Sequence, residues 1–353
     1  MPDTKIKTGF LGITEKAREM ICVLEAISDF EIIAVGDKDI DAAGKISRRF
    51  QNCKAYNDYR QMIAQNELGL LIVSEPIFDS IEHIRAAVRK KFNIFKLSPA
   101  ARNFAEVSEL ASLAASENIL FCTGNCWRNS ASWLNLKNYL ESDKIEQPSF
   151  IRVQWFVPGE IEPEQSWLKD PKLAGGGVLL HQAYQAIDMV VSSFGVPEQV
   201  YALNLSGAQD KQQRAYLTED TANIMMRFSE SLAANFVVSR TFGPVKTSIE
   251  IYGKNHNVEI MENKFRAFNN RQETIEEFEY FDQQQTLLSR CFTNLADSLR
   301  TKKPNPAVCK IEQNIALMAV IEAAYLSAKT LVPESPSRIL ELGKSESGNV
   351  WLK

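Results

Sequence analysis

The chain of 353 residues is short of histidine: it has three (His83, His181 and His256), too widely separated to form a histidine-built metal centre. It also lacks any block of like charge. Its 40 basic residues stand against 44 acidic ones, a net charge of -4, which excludes the electrostatic footprint of a general nucleic-acid binder. No apolar run approaches the roughly 18 residues of a spanning helix, so no membrane association is expected. The opening residues lead into a strand-like segment and not into a signal peptide's apolar core. The six cysteines (Cys22, Cys53, Cys122, Cys126, Cys291 and Cys309) show no metal-ligand spacing, because Cys122 and Cys126 have no second pair. They read as reduced thiols of a cytoplasmic protein. What is present is ordinary: 45% apolar and 24% charged residues, with 16 glycines and 13 prolines, enough chain for two sizeable cores.

The first third alternates short apolar runs with amphipathic stretches. Lys5 to Leu11, Glu31 to Val35, Gly69 to Val73, Asn93 to Phe95 and Ile119 to Cys122 read as strands. Between them, Ile81, Ile84 and Val88 share one helical face, and Phe104, Val107, Leu110 and Leu113 another. Strands separated by single helices imply right-handed crossovers and a doubly wound parallel sheet. The texture changes after Thr123, which divides the chain into a 1–123 domain of α/β class and a 124–353 domain of α+β class. There, Ser130 to Glu141 reads as a helix, Phe150 to Val157 as a strand, and Val178 to Ser193 as one helix after Gly175-Gly176-Gly177. Ile224, Met226 and Phe228, then Leu232, Ala234, Phe236 and Val238, alternate around a Ser229-Glu230 link. That pattern is a hairpin in an open, predominantly antiparallel sheet. Helices over Gln284 to Thr301 and Cys309 to Thr330 follow, and the tail from Gly343 reads as loosely held.

The first strand runs into Gly9-Phe-Leu-Gly12-Ile13-Thr14-Glu-Lys-Ala17. On the dinucleotide fingerprint G-x-G-x-x-G/A, Gly12 makes the tight turn and Ala17 allows close helix–strand packing, while Thr14 replaces the glycine that admits a pyrophosphate. Asp37 closes the second strand where a carboxylate binds ribose hydroxyls, and its charge favours NAD(H) over NADP(H). The rival reading uses Gly12 as a plain turn and Asp37 as a strand-end cap.

From these residues onward the chain resembles the Gfo/Idh/MocA oxidoreductases over nearly its whole length. The resemblance rests on the loop, Val35-Gly36-Asp37, Tyr56 to Tyr59, Pro76, Pro99, Gly124-Asn125 through Arg128, Trp167, the glycine triplet, Ile187-Asp188 and Glu219-Asp220-Thr221. It implies a Rossmann-type NAD(P)-binding domain in which Gly12, Ile13, Thr14, Asp37, Pro76 and Ser98 meet the cofactor. It further implies a sugar, cyclitol or related small hydroxy or keto substrate, and a homodimer or homotetramer built through the C-terminal sheet. The departures fall on the chemistry. The family's Glu-Lys-Pro is Leu97-Ser98-Pro99, its Asp-x-x-x-His is His181 to Gln185, and the histidine four residues after Pro76 is Ser80.

Oxidising an alcohol requires a base for the hydroxyl proton, which neither the Gln185 amide nor the Ser98 hydroxyl provides near neutral pH. His181 is the remaining acid or base in that segment. On one continuous helix Gln185 would lie about 6 Å of rise away on the same face, and with Ser98 would orient the reacting group. Arg128, Trp167 and Tyr184 complete the expected substrate pocket. The plain alternatives are a partly buried structural His181, an Arg128 ion pair, and a Trp167 that pins its loop. Lys96 reads as a surface charge, His83 as solvated, and His256 as a turn residue. The glycine triplet either permits close backbone approach or forms a flexible loop. Two further readings stand beside the oxidoreductase: a redox-inactive sensor or regulator that binds a dinucleotide or sugar, and a non-redox lyase or hydrolase.

Overall fold

A computed structural model describes residues 5–207, 217–261, 263–280, 284–303 and 305–347. The first unit begins with β1 (Ile6–Leu11), α1 (Glu15–Glu25), β2 (Phe30–Gly36), α2 (Ile40–Ser47), β3 (Lys54–Tyr56) and α3 (Tyr59–Gln65). It continues with β4 (Leu70–Val73), α4 (Ile77–Arg89), β5 (Asn93–Lys96), α5 (Phe104–Ser116) and β6 (Phe121–Thr123). All four residues of β4 are buried, as a parallel strand covered on both faces requires. Side chains of Thr14, Asp39 and Asp58 accept from first-turn amides and start α1, α2 and α3. The strands pair in the order β6-β5-β4-β1-β2-β3, all parallel. The chain leaves β1 toward β2 on one side and returns to β4 on the other, so the strand order reverses between β1 and β4.

The second unit comprises α6 (Ala131–Glu141), β7 (Phe150–Phe156), α7 (Pro171–Ala174), α8 (Val178–His181), α9 (Tyr184–Phe194) and β8 (Gln199–Leu205). Its other strands are β9 (Thr221–Arg227), β10 (Ala233–Ser239), β11 (Lys246–Tyr252), β12 (His256–Met261), β13 (Lys264–Asn269) and β14 (Thr274–Glu279). The eight strands pair as β14-β13-β12-β11-β7-β10-β9-β8, antiparallel throughout except for β7 beside β10. The expected hairpin is β9–β10, with Ile224 and Met226 buried and Met225 exposed. Burial alternates along β8 and β9, which leaves Leu203, Leu205 and Met225 exposed on the open face, Leu205 at 61%.

The last stretch holds α10 (Gln284–Thr301), β15 (Cys309–Lys310), α11 (Ile311–Thr330) and α12 (Pro336–Ser347). Three expectations are corrected here. The boundary at 123/124 fails because Glu106–Asn129 and Gln283–Asn314 belong to the first unit. Leu288, Phe292 and Leu295 of α10 join the core of Phe10, Ile21, Phe30 and Phe95, and β15 adds an antiparallel edge strand to β6. Cys309 therefore lies in a strand and not at the start of a helix. The tail is helical through Ser347, and residues 348–353 lie outside the described residues. Among the described residues no helix is long and apolar enough to cross a membrane.

Candidate functional site

The expected residues fall into two groups, one in each unit. In the first, Gly12 has φ +86°, and a Cβ there would lie 2.9 Å from the Glu75 nitrogen, so glycine is required for both conformation and space. The Asp37 carboxylate accepts from the Ile13 amide at 2.6 Å and the Asp39 amide at 2.8 Å. Thr14 is an N-cap: its hydroxyl accepts from the Ala17 amide at 3.2 Å and meets the Ser74 hydroxyl. The missing glycine is thus replaced by a side chain that orders the start of α1. The amides of Glu15 and Lys16, in the first turn of α1, have no acceptor among the described residues.

Beside this loop lies a buried ionisable cluster. Lys96 was expected at the surface, yet it is only 3% exposed, and its ammonium donates to the Glu75 carbonyl at 2.9 Å. It ends β5, inside a sheet covered on both faces, where strand parity alone does not decide exposure. Burial pushes its pKa down to about 8 from 10.5, against the opposing pull of the Glu75 charge. The buried Glu75 carboxylate accepts from His83 Nδ1 at 3.1 Å, so His83 is engaged and not simply solvated. Tyr59 packs edge-on against His83 with ring centroids 5.0 Å apart, and burial raises its phenol pKa, reinforced by Glu75 and Asp37. Ser80 is buried and bonds its own helix at Ile77, whereas His83, one turn later on α4, supplies the imidazole. Pro76 precedes α4, and Ser98 follows β5, half-buried, in a cis bond to Pro99.

Arg128 is buried in the 3-10 turn Cys126–Asn129 and donates to Gln313 Oε1 at 3.0 Å, an arrangement within the first unit. Cys126, Cys122 and Cys309 lie near Cys291. Hydrogen bonding to Cys126 and burial push the Cys291 thiol up, and burial does the same for Cys122, so both stay protonated and inert. All six cysteines are free, and the described residues contain no group of metal-ligating side chains.

The second unit holds the glycine triplet and His181. A Cβ on Gly175 would lie 2.4 Å from the Arg102 carbonyl, on Gly176 1.9 Å from the Tyr325 hydroxyl, and on Gly177 1.9 Å from the Glu219 carbonyl. Close backbone approach, and not flexibility, explains the triplet. The Glu219 carboxylate accepts from the Gly177 amide at 2.9 Å, the Leu179 amide at 3.0 Å and the Tyr325 hydroxyl at 2.9 Å. Burial raises its pKa, and those three bonds oppose the rise.

His181, at the end of α8, is half-buried; its Nε2 donates to the Ala174 carbonyl at 3.0 Å, and its ring stands edge-on to Trp167 with centroids 5.5 Å apart. In the neutral ring this makes Nδ1 the basic nitrogen. The single helix expected over Val178 to Ser193 is broken: the Gln182 and Ala183 amides both reach the Val178 carbonyl, and α9 starts afresh at Tyr184. His181 and Gln185 therefore do not share one continuous helical face. Tyr184 is a core residue at 1% exposure, and Gln185 is half-buried with an unpartnered Oε1. A cavity of about 220 Å³ opens beside His181, lined also by Gln182, Arg240, Gln165, Glu160 and an apolar wall from Val157 to Leu168. Sequence reading missed Gln182 and Arg240: nothing in a Ser-Arg-Thr strand end marks a pocket residue.

With this geometry in hand, comparisons with known proteins become informative. Residues 133–259 match the model of the GFO/IDH/MocA C-terminal domain. An uncharacterised oxidoreductase of Synechocystis sp. is 23% identical over 234 residues, covering 64% of this chain and, at 63%, just under two thirds of that relative. The myo-inositol 2-dehydrogenase of Thermotoga maritima is 23% identical over 247 residues, 69% of each chain. Among solved structures, levoglucosan dehydrogenase in complex with NADH and levoglucosan has a TM-score of 0.85 at 14% identity, covering 94% of this chain and 99% of that one. An oxidoreductase from Agrobacterium radiobacter, with NAD+, L-tartaric acid and magnesium, has a TM-score of 0.83 at 15% identity, covering 95% and 100%. The fold is thus a Rossmann-type α/β unit joined to an open-sheet α+β unit. Residues 133–259 carry a Gfo/Idh/MocA-type C-terminal domain, and the chain shares its fold with the solved structures.

Proposed function

We propose that this protein is an NAD(H)-dependent oxidoreductase of a sugar, cyclitol or related small hydroxy or keto compound, with His181 as its acid and base. The observation that carries the reading is His181 itself, an imidazole with a fixed Nε2–H bond on the wall of a small cavity. A nicotinamide dinucleotide, when bound, accepts or donates the hydride. The residues present fit such a group: the Glu15 and Lys16 amides offer donors for a pyrophosphate, and each Asp37 oxygen keeps a lone pair for a ribose hydroxyl. The Asp37 charge repels a 2′-phosphate and favours NAD(H) over NADP(H).

In the oxidation direction, His181 Nδ1 takes the hydroxyl proton, while the Ala174 carbonyl stabilises the cationic ring through Nε2–H. Trp167 walls one side of the imidazole. Gln185 contributes hydrogen bonds and no charge. The free thiols fit a reducing, cytoplasmic setting, and the apolar open face at Leu203, Leu205 and Met225 fits a homodimer or homotetramer. The replacements at Ser98 and Gln185 favour a second reading, a redox-inactive binder that senses the same ligands.

The test is reduced-nicotinamide absorbance of the purified protein, given NAD+ or NADH with a panel of polyols, keto-sugars and their acids. Turnover is expected, with His181→Ala lowering kcat by roughly 10²–10⁴-fold at unchanged thermal stability. Binding without any absorbance change establishes the second reading and contradicts the first.

A further inference from the structure

We infer that Arg240 and Gln182 form a carboxylate-recognising subsite beside His181, so that the ligand of this cavity is a small hydroxy or keto acid and not a neutral polyol. The inference rests on the reading of that cavity as the small-molecule site. Arg240 follows β10 and has a fixed root: its amide donates to the Asp220 carbonyl at 3.0 Å, and its own carbonyl accepts from the Gly159 amide at 3.1 Å. Its side chain is half-buried on the cavity wall.

The two carboxylates nearest along its partner strand are committed elsewhere. Glu219 caps α8, and Asp220 accepts from the Gly207 amide. Among the described residues the Arg240 guanidinium has no ion pair, and unlike an exposed arginine it is half-buried on a cavity wall. Glu160 also lines the cavity, but it is exposed, and water screens its charge.

Gln182 supplies the complement. Its Oε1 is buried without a hydrogen-bond partner, an acceptor that needs a donor. A guanidinium fork takes a carboxylate through two parallel bonds, and a neighbouring ligand hydroxyl donates to the amide oxygen. A hydroxy acid carries both groups on adjacent carbons. A neutral polyol satisfies the amide and leaves the guanidinium without an anion. The cavity is about 220 Å³ and places both groups on one wall with His181.

The test is calorimetric binding to the full-length protein of matched pairs: D-glucuronate with D-glucose, D-gluconate with D-glucitol, and glycerate with glycerol. Wild type is expected to bind at least one acid about 10-fold or more tightly than its neutral partner. Arg240→Gln should abolish that preference and Arg240→Lys retain part of it, the Lys variant carrying the test if the Gln variant does not fold. The proposal is overturned if no acid is preferred, or if the preference survives Arg240→Gln. Turnover of a neutral polyol without acid preference overturns the subsite and leaves the oxidoreductase standing. Acid binding without turnover does the reverse.

Discussion

The first unit's loop and the second unit's cavity both contain ionisable groups, but they balance them differently. Asp37 is held by two backbone amides and Glu75 Oε2 accepts from His83, with the Lys96 ammonium close by, although the buried Glu75 Oε1 has no hydrogen-bond partner among the described residues. In the cavity Arg240 has no ion pair among the described residues, and a buried amide oxygen of Gln182 has no partner. The contrast is therefore one of charge: the Glu75 carboxylate has an imidazole and an ammonium beside it, whereas the cavity wall carries a guanidinium with no anion among the described residues.

Substitutions at three positions test this contrast, beginning with the largest effect. Burial holds Lys96 at a pKa of about 8, below its ordinary 10.5. Between those values the unfolded chain binds a proton that the folded chain lacks, so Lys96 makes stability rise with pH in that window. Relative to Lys96→Met, wild type should gain roughly 3 kcal/mol from pH 8 to 10.5, read from denaturant midpoints. A parallel pH profile of the two proteins would show that Lys96 is not buried as a charge.

Next is Gly177→Ala, whose methyl group meets the Glu219 carbonyl and disturbs the cap of α8. It should lower stability by about 1–3 kcal/mol and weaken ligand binding at His181, while a flexible triplet would tolerate it. The smallest effect belongs to Thr14→Ala, which removes the cap of α1 and the contact to Ser74 at about 1 kcal/mol by thermal unfolding. Thr14→Gly should lose less and restore the glycine of the fingerprint, so tighter NADH binding in that variant would show that Thr14 obstructs the loop.

Much of the frame was readable because local pattern and tertiary role agree there. The fully apolar β4, the Gly12 turn and the alternation of β9 each report burial directly. The return of α10 and β15 to the first unit was not readable, since an amphipathic helix does not state which core its apolar face joins. The β11–β14 strands also escaped notice; charge-rich β14, Thr274–Glu279, lies at the edge of the sheet and buries little. That His181 lines a cavity could be anticipated from its place after the glycine triplet. The break at Gln182-Ala183 could not, because nothing in Val178 to Ser193 is a helix breaker. Lys96, Glu75 and His83 meet only through the parallel strand order, which brings the ends of β4 and β5 together.

The central claim is that the loop around Gly12 and Asp37 still binds a dinucleotide, and an NADH fluorescence titration of wild type beside Asp37→Ala tests it most directly. The account predicts saturable binding by wild type and an affinity about 10-fold or more weaker in the variant, as expected for loss of charged hydrogen bonds to the ribose. No binding by wild type, or equal binding by the two proteins, would contradict it.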